Sequence, residues 1–268
     1  ALAKKLGVAE KYINEVEMGR KVASESFIDK AAKVLKADLN DISMVVTDEA
    51  LMEEKNTQVS INETDPPYWL DEASLLTATL LPVTEGSIVL DMCAAPGGKS
   101  LVLAKSTGIK GKLTANDRSP ERRERLRKVL YSLREDLRPE IRITGFNAES
   151  WGLYEKDAYD FVLLDAPCSS ERHVLNDPKY LSQWSPSRPK RLSVSQYAML
   201  SSALMAVREG GYILYSTCSI NPGENEEVIG KLFKRHGSEI EESQDFPDWA
   251  ERRRYGGMVL PDKTGGKG

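Results

Sequence analysis

Two cysteines occupy turns in which a thiol could act as a nucleophile. Cys168 lies in "LLDAPCSS", shortly after the apolar run "FVLL", and Cys218 lies in "LYSTCS", shortly after "GYILY". A thiolate attacks electron-poor carbon readily, whereas a single cysteine at a strand end is commonly a small buried side chain. Because both cysteines stand in turns of small polar residues, the pair favours chemistry over packing.

A second candidate site is the turn in "DMCAAPGGKS", residues 91–100. Its Gly-Lys-Ser end is typical of the triphosphate-binding pattern G-x-x-x-x-G-K-[ST], but that pattern requires glycine where this chain has Cys93. In the triphosphate alternative, Asp165 at the end of an apolar strand would hold magnesium and the chain would hydrolyse a nucleotide. The missing glycine argues against this alternative without removing it.

Asp117 favours a cofactor that contains a ribose. It ends the next strand pattern, 19 positions after Gly98. A carboxylate about 20 residues beyond a glycine turn can accept both ribose hydroxyls of a dinucleotide or of S-adenosylmethionine. A buried turn followed by a surface aspartate is the structural alternative to this binding role.

The elements that must position these residues alternate between helix and strand patterns from residue 68 onwards. Strand patterns cover residues 87–92, 112–117, 141–147, 161–167 and 211–218, and helix patterns cover 70–81, 99–107, 119–136, 193–207 and 225–237. This alternation, with continuous apolar strands, predicts an α/β fold with a Rossmann-like, doubly wound, mostly parallel sheet. Ligands of such sheets bind beyond the carboxyl ends of the strands, so the glycine turn and both cysteine turns should meet there.

Residues 1–45 predict short amphipathic helices without a strand. They resemble the helix-turn-helix domain of the Cro/repressor type, with matches at Ala3, Gly7, Val8, Ile13, Glu17 and Gly19. The helix "EKYINEVE" would be the groove reader of that family, but its exposed side chains do not form a basic face. Duplex DNA binding, contact with RNA or a protein, and a plain helical appendage stay open. Residues 46–66 are predicted as a linker, and residues 67–268 as the second domain.

Composition excludes several classes of protein. The chain has 268 residues, 40% hydrophobic and 29% charged, with a formal net charge of −4, which argues against coating nucleic acid through bulk charge. Three cysteines without a C-x-x-C pair and two histidines predict neither a disulfide framework nor a metal site. Thiols suit a reducing compartment, and neither a spanning apolar run nor a signal-peptide pattern occurs, so we expect a cytoplasmic protein without membrane contact.

With these motifs the chain resembles the Sun-type (Fmu/Sun) family of RNA cytosine-5 methyltransferases. The resemblance covers about residues 68–235 and rests on "LDMCAAPGGKS", "LLDAPCSS" and "YSTCSINPGENEEVI", which occur in the family's order. It implies a class I fold that uses S-adenosylmethionine, and a structured RNA substrate, rRNA or tRNA, with an unpaired or extruded cytosine. Compared with the family the chain ends early, so we expect the last strand to be absent.

The resemblance assigns the methyl donor to the glycine turn. S-adenosylmethionine would lie along Cys93, Ala94, Ala95, Pro96, Gly97, Gly98 and Lys99. Asp117 would bind its ribose, with Arg122 nearby, and Asp165 would border the donor as well as the base. Where the family usually has an aspartate beside the adenine, this chain has Asn147, whose amide oxygen can accept from the adenine amino group without a charge.

The resemblance also gives the two thiols their roles. Cys218 would add to carbon 6 of cytosine, while Asp165 would hydrogen-bond the ring nitrogen and the exocyclic amine. Cys168 would assist loss of the carbon 5 proton, as a base or through water. The DNA cytosine-5 methyltransferases attack instead with the cysteine of the Pro-Cys turn, so Cys168 would be the nucleophile in a DNA-type alternative.

Several residues near the cysteine turns are candidates for substrate contact or positioning. Basic side chains between the two turns are expected to bind RNA: Arg172, His173, Arg188, Lys190 and Arg191. Tyr180 and Trp184 either stack on bases or pack in the core. Glu224 and Asn225, at the start of a predicted helix, are expected to orient the Cys218 turn.

Overall fold

A computed structural model describes Tyr68, Leu70, residues 72–169, Ser185, residues 187–243, Phe246 and residues 250–259. The expected helix-turn-helix domain 1–45 and the linker 46–66 lie outside the described residues. So do four candidates for substrate contact: Arg172, His173, Tyr180 and Trp184. None of the helices in the described ranges is both long and apolar enough to span a bilayer.

The described residues form helices and strands in alternation. The helices are α1 (Glu72–Thr79), α2 (Gly98–Thr107), α3 (Pro120–Leu130), α4 (Ser187–Ala206) and α5 (Glu226–His236). The strands are β1 (Ile88–Asp91), β2 (Lys112–Asn116), β3 (Glu140–Thr144), β4 (Tyr159–Asp165), β5 (Val207–Ser216), β6 (Glu251–Arg252) and β7 (Gly257–Met258). Three short 3-10 helices, Glu135–Leu137, Ala148–Leu153 and Pro222–Glu224, lie between them.

Five parallel strands form the main sheet, in the order β3-β2-β1-β4-β5. The strand order reverses between β1 and β4, which is the position where doubly wound sheets bind ligands. Asp91 of β1 is in register with Leu163 of β4, and Asp165 of β4 is in register with Ser216 of β5. The predicted Rossmann-like parallel sheet is therefore confirmed, and it places the ends of β1, β4 and β5 side by side.

Both faces of the central strands β1 and β4 are largely buried, which explains why these strands read as continuous apolar runs. Leu90, Val162 and Leu164 pack with side chains of α4 and α5 on one face. Val89 and Leu163 pack with side chains of α2 and α3 on the other. All five are fully buried, and burying one such side chain contributes about 1.5–3 kcal/mol. This packing fixes the strand ends that carry the candidate residues.

Helix α3 is shorter than its sequence pattern. Its start follows the prediction, because the Ser119 hydroxyl accepts from the Arg122 backbone amide at 3.3 Å and Pro120 fills the first position. The expected extension to residue 136 is wrong, since the helix ends at Leu130. The Ser132 hydroxyl donates to the Val129 carbonyl at 2.6 Å, a side-chain hydrogen bond that competes with continued helix.

Candidate active site

The loop between β1 and α2 depends on two glycines for its close packing. Gly97 has a φ of +120°, and an added Cβ would stand 3.0 Å from the Cβ of Val129 in α3. At Gly98, the first residue of α2, a Cβ would stand 2.6 Å from Leu70 and 2.9 Å from Tyr68. The loop backbone therefore lies against α3 on one side and against the segment before α1 on the other.

A cavity of about 260 Å³ opens beside this loop. Its walls are Tyr68, Leu70, Ser74, Asp91, Cys93, Ala94, Ala95, Pro96, Gly98, Lys99 and Asp165. Most residues expected from the resemblance to hold the methyl donor are thus brought together. A larger cavity, of about 390 Å³, lies at the amino ends of β1, β4 and β5, beside Arg208 and Gly210 and away from the candidate residues.

Asp91 is a buried carboxylate in the wall of the smaller cavity. The Ser100 hydroxyl donates to its Oδ2 at 2.6 Å, while its Oδ1 has no hydrogen-bond partner within the described part of the chain. Burial raises the pKa of Asp91 from 3.8 to about 7, and this effect exceeds the opposing hydrogen bond from Ser100. A cationic or hydrogen-bonding ligand would therefore find an acceptor here.

Lys99 connects the glycine loop to the end of β4. Its Nζ lies 2.9 Å from Asp165 Oδ2 and 3.1 Å from the Ser74 hydroxyl. The Ser216 hydroxyl, on β5, donates to Asp165 Oδ1 at 2.8 Å. Both oxygens of Asp165 are consequently oriented, one by a cation and one by a neighbouring strand.

Asp117 and Arg122 lie beside the glycine loop. Asp117 is almost fully buried, with Oδ1 accepting from the Ser119 amide at 2.9 Å and Oδ2 lying 3.1 Å from Arg122 Nη1. The second Arg122 nitrogen, Nη2, donates to the Ala95 carbonyl. The structure thus joins the acidic residue expected at the ribose to the loop that follows β1.

Two asparagines lie near the ends of neighbouring strands. Asn147 was predicted to bind adenine, whereas Asn116 was not predicted as a site residue. Asn147 is exposed, and its Oδ1 accepts from the Glu149 amide at 3.2 Å, so it caps the 3-10 helix Ala148–Leu153. Its contact with adenine stays a prediction. Asn116 was missed: it is buried, donates to the carbonyls of Met92 and Phe146, and accepts from the Phe146 amide at 2.8 Å. The sequence feature that could have identified Asn116 is a polar residue at the end of a strand pattern.

The two candidate thiols meet beyond the ends of β4 and β5. Cys168 Sγ lies 2.8 Å from Cys218 Sγ, and either sulfur could be the donor. Cys218 is exposed, whereas Cys168 is half-buried. The Ala166 amide donates to the Ser216 carbonyl at 2.8 Å, which extends the pairing of the two strands toward these turns. Two residues that are 50 positions apart in the sequence are therefore neighbours in space.

The third cysteine, Cys93, has a different environment. Its Sγ lies 4.0 Å from the sulfur of Met199, and it packs against the core beneath the loop. Burial raises the pKa of the Cys93 thiol, and the nearby carboxylate of Asp91 raises it further. Because a raised pKa disfavours the thiolate, Cys93 is suited to packing rather than to nucleophilic attack.

Glu224 and Asn225 lie beside the cysteine turns. Asn225 Nδ2 donates to the Ser219 carbonyl at 2.7 Å, so it holds the Cys218 turn as expected. Glu224 is fully buried and accepts from Ser169 as well as Ser219, so it contacts both turns rather than one. Of the basic candidates near the start of α4, Lys190 and Arg191 are exposed and Arg188 is half-buried.

Known proteins are similar in sequence to this chain. A chain from Bos taurus described as "5-cytosine rRNA methyltransferase NSUN4" is 43% identical over 168 residues, covering 60% of this chain and 43% of that protein. The Danio rerio "tRNA (cytosine(34)-C(5))-methyltransferase, mitochondrial" is 40% identical over 186 residues, covering 68% of this chain and 50% of that protein. This chain therefore spans half or less of the length of these two relatives.

Solved structures confirm the fold. The crystal structure of NSun6 from Pyrococcus horikoshii with SFG superposes with a TM-score of 0.59 at 24% identity, covering 73% of this chain and 49% of that one. The family model described as "16S rRNA methyltransferase RsmB/F" matches residues 78–264, which include the glycine loop, both cysteine turns and the Glu224 segment. The resemblance to the Sun-type enzymes is confirmed, and the chain belongs to the RsmB/F methyltransferase family.

Proposed function

We propose that this chain transfers a methyl group from S-adenosylmethionine to carbon 5 of a cytosine in RNA, through a covalent adduct with Cys218. The observation that carries the proposal is the meeting of two thiols, 2.8 Å apart, at the ends of neighbouring strands beside Asp165. Carbon 5 of cytosine is too weak a nucleophile to take a methyl group unaided. Addition of a thiolate to carbon 6 converts the ring to an enamine and makes carbon 5 reactive.

Cys218 is suited to be the nucleophile because it is the more exposed of the two thiols. Its thiol releases a proton to solvent, the thiolate sulfur forms a bond to carbon 6, and the electron pair of the C5–C6 double bond moves toward carbon 5. The ring nitrogen takes a proton from water as the adduct forms and returns it when the adduct breaks down. Asp165 accepts hydrogen bonds from this protonated nitrogen and from the exocyclic amine, where charge develops. Lys99 and Ser216 hold its two oxygens, so the carboxylate need not reorganise during the reaction.

The cavity beside the glycine loop suits the amino-acid end of the donor. The unpartnered oxygen of Asp91 can accept from an ammonium group, and the small loop residues let a ligand approach the backbone. Asp117, which forms an ion pair with Arg122, would bind the ribose. S-adenosylmethionine, when bound, supplies an electrophilic methyl group. The solved relative with SFG, an analogue of this donor, supports the assignment.

Cys168 completes the cycle. Carbon 5 is bonded directly to carbon 6, so a thiol 2.8 Å from the attacking sulfur stands beside the proton that must leave. Once Cys218 is bonded to carbon 6, Cys168 releases its own proton to solvent, and its thiolate takes the proton from carbon 5, directly or through water. The electron pair of the C–H bond re-forms the ring double bond and expels the Cys218 thiolate, which releases methylated cytosine.

RNA is the substrate class that the relatives favour, since their names specify rRNA and tRNA. Such an enzyme acts on a base that is unpaired or extruded from its stack. Lys190 and Arg191, exposed near the start of α4, are available to phosphates on the approach to the thiols.

Covalent trapping tests the proposal. RNA that contains 5-fluorocytosine should form a denaturation-resistant adduct in the presence of S-adenosylmethionine, because fluorine cannot leave carbon 5 as the proton does. The adduct should form with Cys168→Ala and be absent with Cys218→Ala.

The reverse pattern, loss only in Cys168→Ala, would contradict the assigned nucleophile and support the DNA-type scheme. A wild-type chain that binds ATP with magnesium but not S-adenosylmethionine would contradict the reaction itself and support the triphosphate alternative. Titrating the wild-type chain with S-adenosylmethionine and with ATP plus magnesium therefore distinguishes methyl transfer from the triphosphate alternative.

A further inference from the structure

Glu224 is a fully buried carboxylate that no step of the proposed reaction uses. It ends the 3-10 helix Pro222–Glu224, before α5 begins. A buried carboxylate is unfavourable unless hydrogen bonds compensate for the lost water. Its surroundings supply these bonds from two separate turns and from α4.

One set of bonds holds the Cys168 turn. The Ser169 amide donates to Glu224 Oε2 at 2.9 Å, and the Ser169 hydroxyl donates to Oε1. Gln196 of α4 donates through Nε2 to Oε2 at 2.9 Å and to the Pro167 carbonyl at 2.9 Å. The residues on both sides of Cys168 are therefore fixed, directly or through Gln196, by Glu224.

A second set holds the Cys218 turn. The Ser219 hydroxyl donates to Glu224 Oε1 at 3.0 Å. The oxygens of the Ser219 and Ser169 hydroxyls lie 3.4 Å apart. The Thr217 hydroxyl, on the other side of Cys218, donates to Asn225 Oδ1 at 2.6 Å. A single oxygen of Glu224 thus receives one hydroxyl from each cysteine turn.

We propose that Glu224 is a positioning residue that sets the distance between the Cys218 and Cys168 sulfurs. Its importance for catalysis rests on the proposed function, in which one thiol must reach carbon 6 while the other reaches the proton on carbon 5. The two turns follow different strands, and Glu224 is the carboxylate that hydrogen-bonds both. Its length, more than its charge, determines whether one side chain can reach both turns.

The donors around Glu224 explain this emphasis on length. Oε2 faces two groups that can only donate, the Ser169 amide and the Gln196 amide nitrogen, whereas Oε1 faces two hydroxyls, which can also accept. A glutamine can satisfy both sides, with its oxygen toward the amides and its nitrogen toward the hydroxyls. An aspartate keeps the charge but is shorter by one carbon–carbon bond, about 1.5 Å.

A dithiol reagent measures the spacing without any methyl transfer. Phenylarsine oxide condenses with two neighbouring thiols to form a cyclic product and one water. The wild-type chain should bind it tightly, and Cys168→Ser or Cys218→Ser should lose the cyclic product. Glu224→Asp should weaken binding by about tenfold or more, because the second bond depends on the effective concentration of the neighbouring thiol. Glu224→Gln should stay close to the wild type.

Glu227→Gln is the matched control, since Glu227 is exposed on the first turn of α5. It should bind the arsenical like the wild type. With RNA, Glu224→Asp should lower kcat on the order of 100-fold, as expected for a misplacement of 1 Å or more, with the KM for S-adenosylmethionine little changed. Glu224→Gln should recover most of that loss. Thermal unfolding of each variant shows whether it is folded.

Two results would overturn the inference. In the first, Glu224→Asp leaves both arsenical binding and kcat at the wild-type level. In the second, Glu224→Gln loses as much as Glu224→Asp, which would make charge the controlling property. If the wild-type chain methylates no RNA yet shows the predicted order of arsenical binding, the proposed function fails while the positioning role stands.

Discussion

Replacement of Asp91 by asparagine should remove a pH-dependent loss of stability. The carboxyl is almost fully buried, and its pKa rises from 3.8 to about 7 in the folded chain. Between these two values the folded chain binds more protons than the unfolded chain, so stability falls as pH rises through this window. Below it both states are protonated, and above it both are ionised, so the dependence is flat.

The size of the effect follows from the width of that window. Each pH unit between the two pKa values corresponds to about 1.4 kcal/mol, so ionised Asp91 destabilises the fold on the order of 4 kcal/mol above pH 7. Asparagine keeps the shape and can still accept from Ser100, whose hydroxyl bonds the carboxylate at 2.6 Å. The free energy of unfolding of the variant should therefore increase relative to that of the wild type as pH rises. A constant effect of the amide does not change this trend.

Urea unfolding between pH 4 and pH 8 measures this difference. The free energy of unfolding of Asp91→Asn minus that of the wild type should be lowest near pH 4, grow through the window and level off above pH 7. Asp136→Asn, in the exposed 3-10 helix Glu135–Leu137, is the control and should differ from the wild type by less than about 0.5 kcal/mol throughout. A difference that does not change with pH would refute the reasoning.

Three further predictions concern the cofactor loop and its neighbours. Gly97→Ala should destabilise the fold by about 1–3 kcal/mol more than Gly210→Ala in urea unfolding, because both glycines have positive φ but only the Gly97 Cβ would crowd Val129; equal losses would contradict the packing argument. Arg122→Ala should raise the Kd for S-adenosylmethionine about tenfold in calorimetry, since a charge-assisted contact beside Asp117 is lost; an unchanged Kd would remove Arg122 from the donor site. Asn147→Asp should tighten donor binding by up to about tenfold through a charged acceptor for the adenine amine, and no change would place the adenine elsewhere.

The sequence predicts those parts of the molecule that depend on local patterns. Continuous apolar runs identify the strands because both faces of the sheet are covered, and the glycine loop and cysteine turns follow from their place after those runs. Cys168 and Cys218, the two thiols of the proposed reaction, lie side by side because β4 and β5 are neighbours in the sheet. That neighbour relation comes from the fold class, not from any spacing along the chain.

Residues that act through long-range hydrogen bonds were harder to predict. Glu224 reaches Ser169 across 55 positions, and Asn116 reaches Phe146 across 30, so no local pattern reveals either partner. Asn147 shows a different limit: its oxygen accepts from the nearby Glu149 amide, while the adenine contact implied by the family resemblance stays a prediction. The early end of α3 was not predicted either, because the Ser132 hydroxyl bonds the Val129 carbonyl where the pattern favoured continued helix.

Two carboxylates connect the three strand ends that carry the proposed reaction. Asp165 on β4 bonds Lys99, in the first turn of α2, and Ser216 of β5, while Glu224 joins the turns after β4 and β5. We therefore expect that a change at Lys99 alters the spacing of the thiols through these contacts. Because neighbouring contacts are rarely additive, Lys99→Met combined with Glu224→Asp should change arsenical binding by a factor that differs from the product of the single effects. Strict additivity would show instead that the donor cavity and the thiol pair are positioned independently.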